Sequence, residues 1–359
     1  MIDRSDFTPL YIQVYEVLKK ELANYPVGTN IPPERTLCGR YGVDRVTVRK
    51  ALTMLADEGL IERRQGRGTK VIRHEEGAAG SVLFLLSQGK KKTDRIGEPF
   101  YAGSFDAIEE QLKKKGRRLF YANVIPEDDI AGLCRNTDAR AVILSCTPDD
   151  PVLERCRALD LPVVCYNTCA EGIPSVTVDN DDATSASARL LLGLGHRKIG
   201  FIQVPGYVNS EKRLDRYRIE TARSHEGDTE LFVADGDWTE EGGYRAAYEL
   251  LSDREKRITA LFGGNDSMAI GAMRAAKDLG LNVPGDVSII GFDGIPQSAT
   301  ASPSLTTVRV DLKAMAESVC MLLEHVISNR ECKGIRVLVP ADLVIRESTA
   351  EAKKLSRRI

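Results

Sequence analysis

Residues 32–72, PPERTLCGRYGVDRVTVRKALTMLADEGLIERRQGRGTKVI, divide at their glycines and prolines into two helices, a turn and a hairpin. The spacing predicts a short helix over 33–41, with Gly42 supplying the positive φ of a tight turn. Asp44 is placed to cap a second helix running to about Glu58. Two helices joined by a three- or four-residue turn with glycine form the helix-turn-helix pattern. After Gly59, LIERR and TKVI read as short strands around Gln65, Gly66, Arg67 and Gly68, and the glycines favour a hairpin. A basic hairpin directly behind a recognition helix suits a wing whose tip reaches the DNA backbone or the adjacent minor groove. Ahead of it, PLYIQVYEVLKKELANY sets Ile12, Tyr15, Leu18, Lys19 and Leu22 near a 3.6-residue period behind Pro9, which predicts a first helix.

In the second helix of the pair, Arg45, Thr47 and Arg49 occupy the first turns, the end that a recognition helix presents to the major groove. Val46, Val48, Leu52 and Leu55 are expected on its buried side. Arginine can meet guanine O6 and N7 bidentately, so these side chains have a route to base readout. The plainer reading is a solvated charged face on a small helical domain. The order of helix pair, turn glycine, arginines and basic hairpin favours DNA.

The same residues resemble the GntR-type winged helix over about 9–72, with PxERxL, GVxRxTVRxAL, GLI and GxGT in register. The resemblance implies that Arg35, Arg45, Thr47, Arg49 and Gly66 contact double-stranded operator DNA, with Arg67 at the wing tip. Pro33 stands where that family often has a capping serine, and Asp44 replaces the usual serine before Arg45.

The chain of 359 residues exceeds what one core usually organises, and its composition, 42% hydrophobic and 28% charged, is that of an ordinary soluble protein. No stretch approaches the roughly 20 apolar residues of a membrane span. The N-terminus MIDRSDFTPLYIQV has no basic region followed by an apolar run, so a cytoplasmic location is expected. The eight cysteines form no CxxC pair, and Cys165 and Cys169 have no accompanying second pair. Neither a metal site nor a cofactor is expected; buried thiols in a reducing compartment are. The net charge of -2 conceals a split, because residues 1–72 carry 12 Lys/Arg against 9 Asp/Glu. Positive charge thus gathers in the small front part, which suits an approach to phosphates.

HEEGAAG, ending at Gly80, is polar and small and reads as a linker. Beyond it SVLFLL, RLFYANV, RAVILS, PVVCYN, KIGFIQV, TALFGG and VSIIGF are short apolar runs of the kind buried on both faces of a sheet. Amphipathic stretches such as FYAGSFDAIEEQLKKKG and DSMAIGAMRAAKDLG alternate with them. The pattern predicts an α/β fold of two Rossmann-like lobes with parallel sheets, whose strand C-termini face a shared cleft. Asn167, Asn265, Asp266 and Asp293 each follow a strand, and Trp238 is the lone tryptophan. Carboxylates, amides and an aromatic face suit a polyhydroxylated ligand. Taken singly, Asn265 and Asp266 serve equally well as helix caps, and Trp238 as core.

GNDSMAIGAMRAAKDLGLNVPGDVSIIGFDGIPQSATASPSLTTVRVD, VTVDNDDATSASARLLLGLGHRKIGFI and the closing LVIREST resemble the LacI/GalR-type effector domain, itself similar to periplasmic sugar-binding proteins. The resemblance implies dimerisation and a small-molecule effector, a sugar, held by Phe100, Tyr101, Asn167, Arg213, Trp238, Asn265 and Asp293. Arg216 stands at a usual glycine, and Asn167 where an aspartate is common. Joined to a GntR-type module, the domain resembles that of arabinose-repressor-type regulators. The expected organisation is a winged helix at 1–72, a linker at 73–80, a two-lobed effector and dimerisation domain at 81–349 and a tail at 350–359. The expected function is a homodimeric repressor of carbohydrate-metabolism genes, released from its operator by the sugar. A corepressor or nucleoside effector, and a solute-binding protein for transport, are the alternatives. An enzyme is not expected, since no GxxxxGK[ST], HExxH or GxSxG motif is present.

Overall fold

The computed structural model describes residues 2, 8–22, 25–26, 28–64, 68–72, 80–87, 94–224, 229–329, 332 and 334–353. Within the first of its parts, helix α1 (Leu10–Leu22), helix α2 (Glu34–Tyr41) and helix α3 (Arg45–Asp57) enclose a core of their own. Pro9 starts α1 by offering its carbonyl to Ile12 and Gln13. Val14, Tyr15, Leu18 and Leu22 form its buried stripe. Helix α2 stops at Gly42, whose φ of 64° turns the chain toward α3. Asp44 Oδ1 accepts from the Thr47 N–H at 2.7 Å, so the unusual aspartate is an N-cap. At the far end, Leu60 N–H returns to the Leu55 carbonyl at 2.9 Å, with Gly59 at φ 69° letting the chain reverse.

Strands β1 (Ile61–Arg64) and β2 (Gly68–Val71) pair antiparallel, as the wing requires. A further partner for β2 was not foreseen. Asn30 bridges Lys70, and Ile31 N–H reaches the Thr69 carbonyl at 2.9 Å. The stretch before α2 therefore closes the hairpin's outer side. Gly66 and Arg67, both expected at the wing tip, lie outside the described residues, as does most of the expected linker. One expectation fails: Val46 is 64% exposed, while the buried stripe of α3 is Val48, Ala51, Leu52 and Leu55. Val46 lies two residues before Val48, about 200° around the helix, and so shares the outer face with Arg49 and Lys50.

The remainder builds two six-stranded sheets. One holds β3 (Ser81–Ser87), β4 (Arg118–Val124), β5 (Ala139–Ser145), β6 (Val163–Tyr166), β7 (Ser175–Val178) and β13 (Arg336–Val339), in the order β13-β7-β6-β5-β3-β4. The other holds β8 (Lys198–Gln203), β9 (Glu230–Asp235), β10 (Ala260–Gly263), β11 (Ser288–Asp293), β12 (Thr306–Val310) and β14 (Ala341–Val344), in the order β14-β12-β11-β10-β8-β9. The fold is α/β with parallel sheets except at one edge, where β14 runs antiparallel to β12. All seven apolar runs of the sequence are strands. Strands β7, β9, β12, β13 and β14 were not predicted, because they are interrupted by polar or exposed positions, such as the pattern of β9 with Glu230 and Asp235 at its ends. Past the expected boundary at 349, Ala352 N–H still bonds the Leu194 carbonyl at 2.8 Å.

Helices α9 (Glu240–Ser252) and α10 (Asp266–Asp278) cross closely on the second sheet because Gly243 and Gly271 lack a Cβ. A methyl on Gly271 would fall inside the van der Waals envelope of the Glu240 carbonyl oxygen and the Tyr244 nitrogen. The obstacle is backbone, which no rotamer change relieves. Gly271→Ala is expected to destabilise by about 3 kcal/mol through overpacking, against about 1 kcal/mol returned by helix propensity. Calorimetry should show a melting temperature several degrees lower.

Candidate functional site

On the outer face of the winged helix the side chains of α3 are organised by one carboxylate. Glu34, at the start of α2, accepts from Arg45 Nε at 2.8 Å, from Arg49 Nε at 3.0 Å and from Arg63 of β1 at 2.7 Å. Burial works to raise the Glu34 carboxyl, but the hydrogen bonds from Arg45 and Arg49 outweigh it and hold it below its ordinary value. One anion thus gathers three cations and still leaves the outer ends of Arg45 and Arg49 exposed. Three fixed guanidinium groups against one carboxylate leave a net positive face suited to phosphates and base edges. Arg35 is also exposed on α2, and Thr47 is half-buried beneath the cap. Glu34 was not singled out in the sequence; its place in PxERxL, one residue before Arg35, was the available signal.

The second site is a cavity at the C-terminal ends of strands from both sheets, where ligands of α/β folds bind. All seven residues expected to hold the effector line it: Phe100, Tyr101, Asn167, Arg213, Trp238, Asn265 and Asp293. Arg213, on helix α8 (Val208–Arg223), is almost fully buried. Its Nε donates to Asn180 Oδ1 at 2.8 Å and its Nη1 to the Gly264 carbonyl at 2.6 Å. Its guanidinium carbon sits 3.4 Å from the centroid of the Phe292 ring. Burial lowers the Arg213 pKa to about 10, with Asp293 opposing. Burial likewise pushes Asp293 well above the ordinary carboxylate range, Arg213 pulling it back. Among the described residues no hydrogen bond reaches the Asp293 carboxyl, which lines the cavity.

The two lobes also touch directly here. Asn209 Nδ2, on α8, donates to the Asn167 carbonyl at 2.8 Å and to its Oδ1 at 3.0 Å. Asn180 Nδ2 in turn donates to Asn209 Oδ1 at 3.3 Å, so Arg213 and Asn167 belong to one chain of hydrogen bonds. Asn265 serves as a cap: its Oδ1 accepts from Met268 N–H at 2.8 Å and its amide donates to the Trp238 carbonyl at 3.0 Å. Trp238 stands edge-on to Tyr207, ring centroids 5.4 Å apart. Three of the five non-glycine residues with positive φ among those described line this cavity, Asn167 at 53°, Trp238 at 69° and Asp293 at 114°. Strain of this kind gathers where side chains must be aimed.

Sequence reasoning missed Arg95, Tyr207 and Asn209, which also line the cavity. Arg95 lies in GKKKTDRIGEP, ahead of the expected aromatic pair, and was not singled out in the sequence. It is 5% exposed, with its guanidinium 4.2 Å from the centroid of the Tyr101 ring.

Residues 10–71 match the bacterial regulatory proteins of the gntR family, and residues 188–349 match a periplasmic binding protein-like domain. The HTH-type transcriptional repressor PurR of Klebsiella pneumoniae (strain 342) is 31% identical over 263 residues, 70% of this chain and 76% of that protein. That of Serratia proteamaculans (strain 568) is 31% identical over 273 residues, 72% of this chain and 79% of that protein. Among solved structures, a LacI family transcriptional regulator from Enterococcus faecium with bound ribose superposes with a TM-score of 0.67 at 24% identity, covering 76% of this chain and all of that one. A transcriptional regulator CelR-cellobiose complex gives 0.67 at 24% identity, covering 89% of this chain and all of that one. These relatives repress or regulate transcription rather than catalyse a reaction. With a gntR-family module in front of a periplasmic-binding-protein-like domain, the chain belongs to the LacI/GalR-type regulators, a ligand-responsive DNA-binding repressor that binds operator DNA and a small-molecule effector.

Proposed function

We propose that the protein is a cytoplasmic, homodimeric repressor of carbohydrate-metabolism genes, organised as a winged helix at 1–72, a linker at 73–80, an effector and dimerisation domain at 81–349 and a tail at 350–359. A polyhydroxylated effector enters the cavity and lowers operator affinity. The observation that carries this reading is the convergence of a fixed guanidinium, an unused carboxyl and a tryptophan at the ends of strands from both sheets. Arg213 and Asp293 offer a donor and an acceptor to neighbouring hydroxyls, and Trp238 offers an apolar face to a sugar ring. The ribose and cellobiose carried by two structural neighbours support a carbohydrate. Asn209 and Asn167 join the lobes, so a ligand that displaces or tightens this contact changes the lobes' relative freedom. On the DNA side, Arg35, Arg45, Thr47, Arg49, Gly66 and Arg67 make the contacts, two winged helices reading the half-sites of a pseudo-palindrome.

The test is a gel-shift titration of the full chain on an operator obtained by selection from random DNA, repeated with a panel of sugars and sugar derivatives. A coupling of about 1–3 kcal/mol weakens operator binding about 5- to 150-fold. If no compound that binds the cavity alters operator affinity, the switch does not exist; tighter binding with ligand identifies a corepressor instead.

A further inference from the structure

Among the described residues, two buried donors of the cavity are left without a hydrogen-bond partner. Arg95 presents five N–H donors, is almost fully buried and donates from Nη1 to the Ser87 carbonyl at 3.2 Å. Among the described residues its Nε has no hydrogen-bond partner, and the Glu98 carboxylate stands 3.6 Å away as an ion pair. Trp238 Nε1 is likewise buried without a partner among the described residues, and both residues line the same cavity. An unmet buried donor is costly, and native structures rarely keep one without a use. Arg213 adds a second guanidinium, two of whose nitrogens are held by Asn180 and Gly264.

The charge balance points the same way. Burial favours a neutral Asp293. Burial also works against the charge of Arg95, yet Tyr101 and Glu98 more than offset it, so Arg95 stays cationic. Two guanidinium groups, Arg95 and Arg213, share the lining with the carboxyls of Glu98 and Asp293, and burial works against the negative charge of Asp293. A neutral sugar would leave the excess donors poorly served. An oxyanion serves them, because charge-assisted hydrogen bonds to a guanidinium are shorter and stronger than neutral ones.

We propose that the effector is a polyol bearing an oxyanion, a carboxylate or phosphate group, received by Arg95 and Trp238 Nε1 while hydroxyls meet Asp293 and Arg213. The inference rests on the reading of this cavity as the effector site. Arg95 acts as a specificity-determining residue: it selects the acid over the parent sugar of the same ring.

The experiment is calorimetric titration of the full chain, without DNA, using matched probes: D-glucose, D-glucuronate, D-gluconate and D-glucose 6-phosphate, and the corresponding galactose series. In at least one series an oxyanion member is expected to bind about 10- to 150-fold tighter than its neutral parent. Carboxylate and phosphate arms separate the two sources of the anion. In Arg95→Gln, checked for native fold by circular dichroism and for retained operator binding, the ratio of acid to neutral-sugar affinity is expected to fall to near unity, whatever the shift in neutral-sugar affinity itself. Should that variant misfold, the wild-type panel decides alone. Neutral sugars binding as tightly as their acids overturn the inference and leave a sugar-controlled repressor standing, and so does a panel in which no oxyanion binds. Acid binding that leaves operator affinity untouched upholds the inference and instead removes the proposed switch.

Discussion

Arg213→Ala is expected to abolish the response to effector while leaving operator binding in place. The guanidinium makes two hydrogen bonds to the protein, lies on Phe292 and faces the Asp293 carboxyl electrostatically. Hydrogen bonds to charged groups contribute about 1.5–3 kcal/mol each, so loss of even one contact to ligand weakens binding about 10- to 150-fold. Truncation also has a folding cost. Removing one member of a buried ion pair destabilises by about 3–5 kcal/mol when the other stays charged. Asp293 escapes that cost by protonation. Its pKa in the folded chain already lies well above the ordinary carboxylate value, and loss of the cation raises it further. The native state then holds more protons than the unfolded one, so stability falls as pH rises from the unfolded value to the folded one. Urea unfolding at pH 8 is accordingly expected to show a larger deficit for the variant than unfolding at pH 5. Adding Asp293→Asn should recover most of the deficit at pH 8 but not the effector binding. Equal deficits at both pH values would show that Asp293 carries no charge that Arg213 offsets.

The second large effect concerns Arg49→Ala, expected to weaken operator binding by about 1–3 kcal/mol and to relax sequence preference at one base pair. Arg49 is about half exposed on α3, with its Nε held by Glu34 at 3.0 Å. That anchoring leaves the outer nitrogens in a fixed direction, which is what bidentate readout of guanine needs. Selection on random DNA before and after substitution separates base reading from charge alone. A uniform loss across sequences, with a salt slope reduced by about one, would mean that Arg49 meets a phosphate. Glu34 is the internal control: Glu34→Gln leaves all the arginines and removes their common anchor. It should raise affinity for unrelated DNA while lowering the ratio of specific to non-specific binding.

What could be read in the sequence follows what local chemistry decides. Turn and cap residues, Gly42, Asp44 and Gly59, announced the helix-turn-helix because their backbone roles are set by their own side chains. Continuous apolar runs gave six strands that are buried almost throughout and also β4, an edge strand that exposes Phe120 and Tyr121. Edge strands such as β9 and β14 carry polar positions and hid among loops. Val46 was assigned to the wrong side because apolar character was read as burial, whereas only position around the helix decides it. The seven cavity residues were legible through resemblance, and they do lie together. Arg95 and Glu34 were not, for a common reason. Both are charged residues whose importance comes from tertiary placement: Arg95 is buried against Ser87, Glu98 and Tyr101, and Glu34 meets Arg45, Arg49 and Arg63, 11, 15 and 29 residues away. No spacing rule announces such a meeting.

The most direct measurement of the switch is a closed thermodynamic cycle on the full chain. Operator affinity is determined with and without saturating effector, and effector affinity with and without saturating operator. A ligand that controls DNA binding must change both by one factor, since coupling between two sites is reciprocal. The predicted result is a common factor between about 5 and 150, with each ligand weakening the other. A factor of one in both directions, with the effector firmly bound, would contradict it.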